Sequence, residues 1–543
     1  MVRTYKPMKT SKIAAALLSA LALVEAAKDT SKRDIEAFAK ELGMSDAQIK
    51  SLNDKSLISI DFANSSVKDQ LACRFLNIIF PDATAISSEA VTYTSKISIN
   101  WSVRAWLKSS CVFSPSTTDM TSVGMKVVNF FGNKFAIRSG GHTPDPEMAS
   151  IDDGILFSLE NLNMVQMDES LSIASIGPGN RWGDVYDKLA PEGYLVVGGR
   201  VPPVGAGGLI TGGGLSFFSG THGFACDNVL NYEVVLGNGT IVNANAHTNS
   251  DLWWALKGGS NNFGLVTRFD LKAIPKKDGI IWGGNIYFSP LQSEAVIKAL
   301  TDFQQVGQIA DPKAALIGNW IRAPATSLTE LTDILRITVF HQDPTDGIPE
   351  SLQPFFDLKP VLSTAMNRTL LSLAEDTYGP AGIVPPARQL FRTLTVGANE
   401  ELLNYAYAKF NTSYSILFPS LASVAVLTHQ PVSEAMASHG ARPMNVPGKA
   451  QTWLIVNIQW ALEISDKKIL KIAKDFLDDV KAKSVEMGLD EDFLYLNDAA
   501  RGQEVLEGYG AASVAEMKTI SAKYDPAQVF QEQVTGGFKV SKA

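Results

Sequence analysis

Two glycine-rich segments between residues 138 and 214 contain the residue types and spacings most suited to chemistry. The first, Arg138-Ser-Gly-Gly-His142-Thr143, follows an apolar run, and its paired glycines let the backbone approach a bound group closely. Successive backbone N–H groups in such a turn form a nest that binds anions such as a pyrophosphate. A plain hairpin turn with a structural histidine explains this short motif equally well.

The second segment, residues 198–214, contains eight glycines among valines, a leucine and an isoleucine. Glycine loses more conformational entropy on folding than any other residue, so this density needs a compensating reason. A flexible linker is the alternative, but the apolar residues favour a buried loop against a planar or phosphorylated ligand. The segment lacks the Lys-Ser/Thr of a Walker loop and the spacing of the dinucleotide fingerprint, which disfavours a nicotinamide-dependent enzyme.

Short apolar runs separated by turn residues predict the elements that position these segments. Up to Pro275, strands and helices alternate with glycine-rich turns. Beyond it, runs at 281–288, 315–320, 337–341 and 452–460 predict an antiparallel sheet. Amphipathic stretches at 293–306 and 465–487 predict helices on one face of that sheet. The pattern indicates an α+β fold.

Length, composition and charge limit the class of protein. The 543 residues exceed one ordinary core, so at least two domains are expected. With 45% hydrophobic and 19% charged residues, the chain is typical of a globular protein. The net charge is −8, and no dense Lys/Arg run is present, which disfavours nucleic acid as a partner.

The amino terminus resembles a secretory signal peptide. Four basic residues precede an apolar run at 13–24 that is too short to span a bilayer, and small residues follow it. We therefore predict a signal peptide at 1–27, secretion, and no membrane partner. Glu25 makes the cleavage site imperfect, and an ordinary helix of a cytoplasmic protein is the alternative.

The cysteines and the glycosylation sequons bear on the same question. Cys73 and Cys111 are the natural disulfide pair in an oxidising compartment, which leaves Cys226 free. Their spacing suits no metal site. A chain of this length contains some sequons by chance, so they add little to the prediction of a secreted glycoprotein. The five sequons begin at Asn64, Asn100, Asn238, Asn367 and Asn411.

Six motifs, taken in order, resemble one protein family. The similarity is to the FAD-linked oxidases of the vanillyl-alcohol-oxidase/PCMH superfamily, in particular the berberine-bridge-enzyme-like branch found in fungi. It covers about residues 75–275 and the last fifty or so, and residues 276–491 match only loosely. The motifs are Arg138-Ser-Gly-Gly-His142, Gly177-Pro-Gly-Asn-Arg-Trp-Gly, Gly207-Gly…Gly212-Gly-Gly, Gly223-Phe-Ala-Cys-Asp-Asn-Val229, Asp251-Leu-Trp-Trp-Ala-Leu-Lys-Gly-Gly and Tyr524-Asp-Pro…Val-Phe530.

The resemblance implies a domain division. An N-terminal helical region at 28–104 would lead into a PCMH-type FAD-binding domain at 105–275, built from two α/β subdomains. A substrate domain with a helix-covered antiparallel sheet would occupy 276–491, and residues 492–543 would return to the FAD domain. A single chain acting on a small molecule is expected.

The resemblance also implies a cofactor and its contacts. His142 would be attached covalently to the 8α-methyl group of FAD. Relatives with a second link carry a cysteine where this chain has Val201, so His142 would be the sole attachment point. Val204 corresponds to a position associated with oxygen access. The implied cofactor-binding residues are Arg138, Ser139, Gly140, Gly141, His142, Thr143, Val204, Gly207, Gly208, Gly213, Gly214, Val229, Val234 and Asn497.

The expected activity is hydride transfer from a small organic substrate to FAD and then to O2, giving H2O2. The family acts on carbohydrates, alkaloids, phenols and biosynthetic intermediates, so the substrate stays open. An FAD dehydrogenase with another acceptor and a non-catalytic flavin-binding protein are the alternatives.

The catalytic base is left unassigned by the sequence. Asn457 and Gln459 stand where relatives carry a tyrosine or a carboxylate, and neither can accept a proton. Tyr495, His429 and His222 are candidates by chemistry alone. Three aromatic residues would favour a planar apolar substrate if they faced the cleft, although core packing suits any one of them; they are Trp320, Phe340 and Trp460.

Overall fold

The computed structural model describes residues 35–52, 67–87, 90–324, 331–378, 386–415 and 424–543. The predicted signal peptide at 1–27 and the sequon at Asn64 lie outside the described residues. The described chain forms an α+β fold with three main sheets, as the sequence predicts. Among the described residues, every helix is too short or too polar to cross a bilayer.

The first sheet has the order β1-β2-β4-β3. Its strands β2, β3 and β4 are parallel, and β1 pairs antiparallel with β2. The predicted disulfide joins Cys73, on a helix packed against this sheet, to Cys111 at the start of β2. The strands are β1 (Thr84–Ile86), β2 (Cys111–Phe113), β3 (Phe135–Arg138) and β4 (Ile155–Ser158).

The second sheet is antiparallel and has the order β5-β6-β10-β8-β9. A separate two-stranded ribbon pairs β7, which lies between β6 and β8 in sequence, with β11, which follows β10. The strands are β5 (Val165–Met167), β6 (Ile173–Ile176), β7 (Tyr194–Leu195), β8 (Val229–Val235), β9 (Ile241–Asn245), β10 (Leu265–Lys272) and β11 (Ile274–Pro275).

The third sheet confirms the predicted antiparallel arrangement. Its order is β15-β12-β14-β13-β18-β19-β17, and β16 also pairs with β12. The strands are β12 (Ile280–Phe288), β13 (Ala314–Pro324), β14 (Leu331–His341), β15 (Leu362–Ser363), β16 (Met366–Thr369), β17 (Arg388–Gly397), β18 (Val424–Val432) and β19 (Gln451–Trp460).

Three long helices cover one face of the third sheet and close a hydrophobic core with it. They span Ser293–Asp302, Glu400–Ser415 and Asp466–Glu486. The first is shorter than its periodicity predicts, because the α-helical turns give way to a π-helical stretch at Phe303–Gly307. The amphipathic stretch at 465–487 is helical almost as predicted.

Other α-helices are shorter or lie on the first two sheets. Thr118–Phe131 connects β2 to β3; the Thr117 side chain accepts from the Met120 backbone N–H, and Gly132 ends the helix in the left-handed conformation. The others are 35–41, Asp46–Leu52, Val67–Ile79, Ala90–Ile97, Trp182–Leu189, Ala206–Thr211, Ser219–His222, Ser250–Ala255, Gln308–Ala310, Gln353–Asp357, Leu370–Tyr378, Glu434–Ser438, Ala511–Tyr524 and Val529–Glu532.

Candidate functional site

A cavity of about 540 Å³ lies between the two glycine-rich segments and the face of the third sheet that the long helices leave uncovered. Residues 139–143, 204–205 and 207–209 form one wall, and residues 495–499 of the C-terminal segment form another. Strands β13, β17, β18 and β19 close the far end. The cavity therefore joins the parts of the chain predicted to hold a cofactor to the sheet predicted to hold a substrate.

The two glycine-rich segments contact each other directly. A Cβ atom on Gly205 would lie 2.2 Å from the Gly140 backbone nitrogen, so a side chain at 205 would push the two backbones apart. The Ser139 hydroxyl donates to the Pro178 carbonyl at 2.5 Å and accepts from the Gly207 N–H at 3.2 Å. A Cβ on Gly208, in contrast, would meet nothing within 4 Å, because Gly208 borders the cavity.

His142 forms part of the cavity wall beside these loops. Its imidazole stacks on the Trp101 indole, with 4.6 Å between ring centroids and 10° between planes. Burial, reinforced by the charge of Arg181, lowers the pKa of His142 to about 3, so the ring is neutral near pH 7. Its Nε2 atom is buried without a hydrogen-bond partner among the described residues. A neutral imidazole with a free nitrogen is suited to bonding with a ligand.

Arg138 supports this wall from behind. Its Nη1 donates to Asn100 Oδ1 and its Nη2 donates to Ser158 Oγ, both at 3.0 Å, and burial lowers the pKa of Arg138 to about 10. Asn100, 3% exposed, also donates to the Ala149 carbonyl. The sequon at Asn100 is thus buried in the folded chain, whereas Asn238 and Asn367 are exposed.

The pleat of the third sheet divides its residues between the cavity and the core. Alternate residues of β13, β18 and β19 line the cavity, and the residues between them pack under the long helices. The cavity face of these three strands is therefore mainly aliphatic and amide-bearing, and Phe391 of the adjacent β17 adds an aromatic ring. It includes Ile317, Asn319 and Ile321 of β13, Val424, Val426, Thr428 and Gln430 of β18, and Ile455, Asn457 and Gln459 of β19.

The three aromatic residues considered for the cleft lie outside it. Trp320 and Trp460 belong to the helix-side core, and the Trp460 Nε1 donates to Asp466 Oδ1 at 2.8 Å. Phe340 is buried against Phe217, with ring centroids 5.1 Å apart. Core packing, the role the sequence favoured for each of the three, is confirmed, because the pleat turns Trp320 and Trp460 away from the cavity face.

Comparisons with known proteins show that the chain contains an FAD-binding domain. A family described as an FAD binding domain matches residues 109–245. Bifunctional solanapyrone synthase from Alternaria solani is 34% identical over 478 residues, which are 87% of this chain and 89% of that protein. The FAD-dependent monooxygenase prx3 from Penicillium roqueforti is 32% identical over 490 residues, 86% and 93% of the two chains.

Solved structures with low sequence identity share the fold. The Physcomitrella patens BBE-like 1 structure has a TM-score of 0.68 at 18% identity, covering 85% of this chain and 98% of that one. For berberine bridge enzyme in complex with (S)-reticuline, the TM-score is 0.66 at 17% identity, with 87% and 100% covered. The chain belongs to the family of FAD-dependent oxidoreductases that includes these fungal relatives, and it shares the fold of berberine bridge enzyme. The resemblance stated from the six motifs is confirmed at the level of family, fold and cofactor.

The site fits FAD on structural grounds as well. The two glycine loops approach each other closely enough to exclude side chains, and Gly208 leaves an open surface for a planar group. The buried guanidinium group of Arg138 and the partly buried one of Arg181 lie near the nest at 139–143 and favour a bound diphosphate. His142 offers an unpartnered nitrogen in the same wall.

The structure separates the residues that the sequence assigned to cofactor binding into two groups. Arg138, Gly213, Gly214, Val229 and Val234 do not line the cavity: the two glycines adopt positive φ beside Met444 and Ala225, and the two valines are buried on β8. Those that line it are Ser139, Gly140, Gly141, His142, Thr143, Val204, Gly207, Gly208 and Asn497, together with Val201.

The three candidate bases differ in their surroundings. The Tyr495 hydroxyl lines the cavity but accepts from the Gly214 N–H at 3.1 Å, the Leu215 N–H at 2.8 Å and Asn497 Nδ2 at 2.9 Å. It therefore organises the loop at 212–215, and burial raises its pKa. His429 packs on Trp320 at the helix side of the sheet, and His222 hydrogen-bonds Thr221; neither borders the cavity.

Asp498, which the sequence analysis did not single out, lines the cavity beside Asn497. Its Oδ2 accepts from Gln430 Nε2 at 2.7 Å. Burial raises the pKa of Asp498 to about 6, and the charge of Arg200 opposes that shift. Arg200 and Gln430, which face Asp498, come from segments far apart in sequence. The only signal in the sequence that could have indicated Asp498 as a site residue is its position next to Asn497.

Proposed function

We propose that this oxidoreductase is an oxidase that removes hydride from a C–H bond of a small organic molecule and passes the electrons to O2, giving H2O2. FAD supplies the hydride acceptor. The observation that carries the proposal is the neutral His142 with its unpartnered nitrogen, set in the wall of a cavity that continues to the third sheet. A non-catalytic flavin carrier would need the part of this cavity beside the glycine-rich loops but not the part that borders the third sheet.

The chain's own residues would hold the cofactor as follows. Ser139, Gly140, Gly141 and Thr143 would contact the diphosphate, and His142 would bond covalently to the 8α carbon. Val201 lines the cavity without a sulfur atom, so we propose no second covalent link. Gly207, Gly208 and Asn497 would lie along the flavin. Arg138, Gly213, Gly214, Val229 and Val234 would act indirectly, by shaping the loops and the core behind them.

The proposed division of the chain follows the same logic. Residues 105–275 and 492–543 would bind FAD, and residues 276–491 would bind the substrate. Aliphatic and amide side chains form most of the cavity face of the third sheet, and Phe391 and Arg336 also border the cavity, whereas Trp320 and Trp460 point away from it. This surface suits a largely apolar molecule with hydroxyl or carbonyl groups.

The use of oxygen is supported by Val204, which borders the cavity at the position associated with oxygen access in the family. Several relatives are named FAD-dependent monooxygenases, so monooxygenation is the second candidate. An oxidase releases both atoms of O2 as H2O2, whereas a monooxygenase places one atom in the product. Labelled oxygen and a peroxide assay distinguish the two activities.

Acid precipitation of the purified protein tests the attachment. Yellow flavin should stay with the pellet for the wild type and pass to the supernatant for His142→Ala. His222→Ala is the matched control, because His222 lies outside the cavity and should keep the flavin in the pellet. Flavin released from the wild type would contradict covalent attachment.

Anaerobic mixing with a panel of primary and secondary alcohols tests the activity. Loss of visible flavin absorbance with at least one alcohol, followed by rapid recovery and H2O2 on admitting air, supports the oxidase. Slow recovery in air would indicate a dehydrogenase. If no alcohol changes the absorbance, a non-catalytic flavin-binding role is favoured.

We also propose passage through the secretory pathway. The disulfide between Cys73 and Cys111 supports an oxidising compartment, and Asn238 and Asn367 are exposed enough to carry glycans. Treatment of the protein expressed in its full length with an N-glycosidase should reduce its apparent mass. An unchanged mass and free thiols at both cysteines would contradict secretion.

A further inference from the structure

We propose that Asp498 is the catalytic base, which takes the hydroxyl proton of the substrate as hydride leaves the adjacent carbon. This inference rests on the proposed function. It assigns a role to a carboxylate in the C-terminal segment, outside the strands of the third sheet, where the family resemblance implies the base.

The position of Asp498 carries the first part of the argument. It borders the cavity at the junction of the cofactor loops and the substrate sheet. The preceding residue, Asn497, donates from Nδ2 to the Leu209 carbonyl at 3.0 Å and packs against Gly212, so this turn is anchored to the glycine-rich segment. Gln430 of β18 anchors Asp498 to the sheet from the other side.

The hydrogen bonds of the carboxylate leave one oxygen available. Oδ2 accepts from Gln430 Nε2, whereas Oδ1 has no hydrogen-bond donor among the described residues. The Arg200 guanidinium donates to the Oε1 atom of the same Gln430 side chain. Gln430 therefore holds the carboxylate in place. Among the described residues, Arg200 is connected to Asp498 by hydrogen bonds only through the Gln430 side-chain amide. Oδ1 is free to accept a proton from a ligand in the cavity.

The electrostatic surroundings suit a base that works near neutral pH. The charged or titratable groups facing Asp498 are Arg200 and the Tyr495 hydroxyl. Burial raises the pKa of Asp498 to about 6, and Arg200 and the Gln430 hydrogen bond limit the rise. The carboxylate is thus mostly ionised at pH 7 but far more basic than an exposed aspartate.

Other polar groups around the cavity serve this role less well. Asn457 and Gln459 cannot accept a proton at neutral pH. The Tyr495 hydroxyl accepts three hydrogen bonds that hold the 212–215 loop, and burial raises its pKa further from neutrality. Arg336 lines the cavity but carries a permanent positive charge.

The step is balanced as a two-electron oxidation. The substrate O–H bond breaks and its proton passes to Asp498 Oδ1. The C–H bond on the same carbon breaks, and its electron pair leaves with the hydrogen as hydride to FAD. A carbonyl double bond forms between that carbon and oxygen. Asp498 then releases its proton to solvent.

A substrate-free titration of the holoenzyme gives the first test. Ionisation of a carboxylate beside the flavin should change the visible absorbance with an apparent pKa of about 6. Asp498→Asn should abolish this transition while retaining bound flavin, which shows that the variant folds. Asp492→Asn, at an exposed position of the same segment, is the matched control and should keep it. A transition that persists in Asp498→Asn would overturn the assignment.

The second test uses the alcohol that reduces the flavin absorbance fastest in the anaerobic panel. Asp498→Asn should slow this reduction by about 10²- to 10⁴-fold, and Asp498→Glu should restore part of the rate. Gln430→Leu should move the rising limb of the pH profile to higher pH, because the lost donor stabilises the carboxylate. A rate for Asp498→Asn within about threefold of the wild type would refute a proton-transfer role.

The two tests keep this inference separable from the proposed function. If no alcohol reduces the wild-type flavin, the proposed activity fails, and the substrate-free titration alone decides whether Asp498 ionises beside the flavin. If an alcohol reduces the flavin and Asp498→Asn reacts at the wild-type rate, the oxidase proposal stands and the assignment of the base is wrong.

Discussion

Replacing His429 by phenylalanine is expected to stabilise the protein, and to do so more strongly in acid. His429 lies on β18 with 1% of its surface exposed, and its ring packs against the Trp320 indole at 4.3 Å between centroids. Neither ring nitrogen has a hydrogen-bond partner among the described residues. Phenylalanine keeps an aromatic ring in this position and removes both unpaired polar atoms.

The expected gain in the free energy of unfolding has a pH-independent part and a pH-dependent part. An unsatisfied buried polar atom costs about 1–3 kcal/mol, which sets the gain expected near pH 8. Burial lowers the pKa of His429 from 6.5 to about 3, so the folded chain binds its proton less readily than the unfolded chain. Stability is therefore lost as pH falls below about 6.5, at about 1.4 kcal/mol per pH unit, which amounts to about 2 kcal/mol near pH 5.

Urea unfolding near pH 8, pH 6.5 and pH 5 measures both parts. The free energy of unfolding of His429→Phe should exceed that of the wild type at each pH, by about 2 kcal/mol more near pH 5 than near pH 8. His429→Gln is the control, because it removes the titrating group and retains unpaired polar atoms. It should show the pH-dependent gain without the gain near pH 8. A difference between wild type and His429→Phe that is the same at every pH would refute the reasoning.

Two further predictions concern the cofactor loops and the disulfide. Gly205→Ala should lower the free energy of unfolding by about 2 kcal/mol or more and reduce bound flavin, because its Cβ would meet the Gly140 backbone. Gly448→Ala is the control and should unfold like the wild type, since its Cβ enters open space away from the cavity. Equal unfolding of the two variants would contradict the close contact of the loops. Cys73→Ser should cost about 4 kcal/mol of unfolding free energy, from opening a loop of 38 residues. The reduced wild type should unfold like Cys73→Ser, and a variant as stable as the oxidised wild type would show that the disulfide is dispensable.

The elements with a strong period were predictable from sequence. The runs at 315–320, 337–341 and 452–460 became strands of an antiparallel sheet, and the stretch at 465–487 became the helix Asp466–Glu486. Strand alternation also determines which face Trp460 occupies. Asn457 and Gln459 were expected at the cleft, and Trp460, one residue further on, must then face the opposite side.

The site was only partly predictable, because its contacts join distant segments. The glycine loops and His142 form a local motif and were identified by type and order. The Asp498 carboxylate is held by a hydrogen bond from Gln430, 68 residues earlier in the chain, and no pattern in the sequence predicts that contact. Arg138 shows the converse: its place in the motif suggested a ligand contact, but its partners are the Asn100 and Ser158 side chains.

The alternation of the third sheet also has a consequence for how activity could diversify. Each central strand interleaves two sets of positions: one packs under the long helices, and the other borders the cavity. Substitutions at cavity positions such as Asn319, Thr428 and Asn457 alter the ligand surface without opening voids in the helix-side core. New specificities can therefore accumulate at one set of positions while the other preserves stability. A combinatorial library confined to the cavity set would sample substrates at little cost in folded protein.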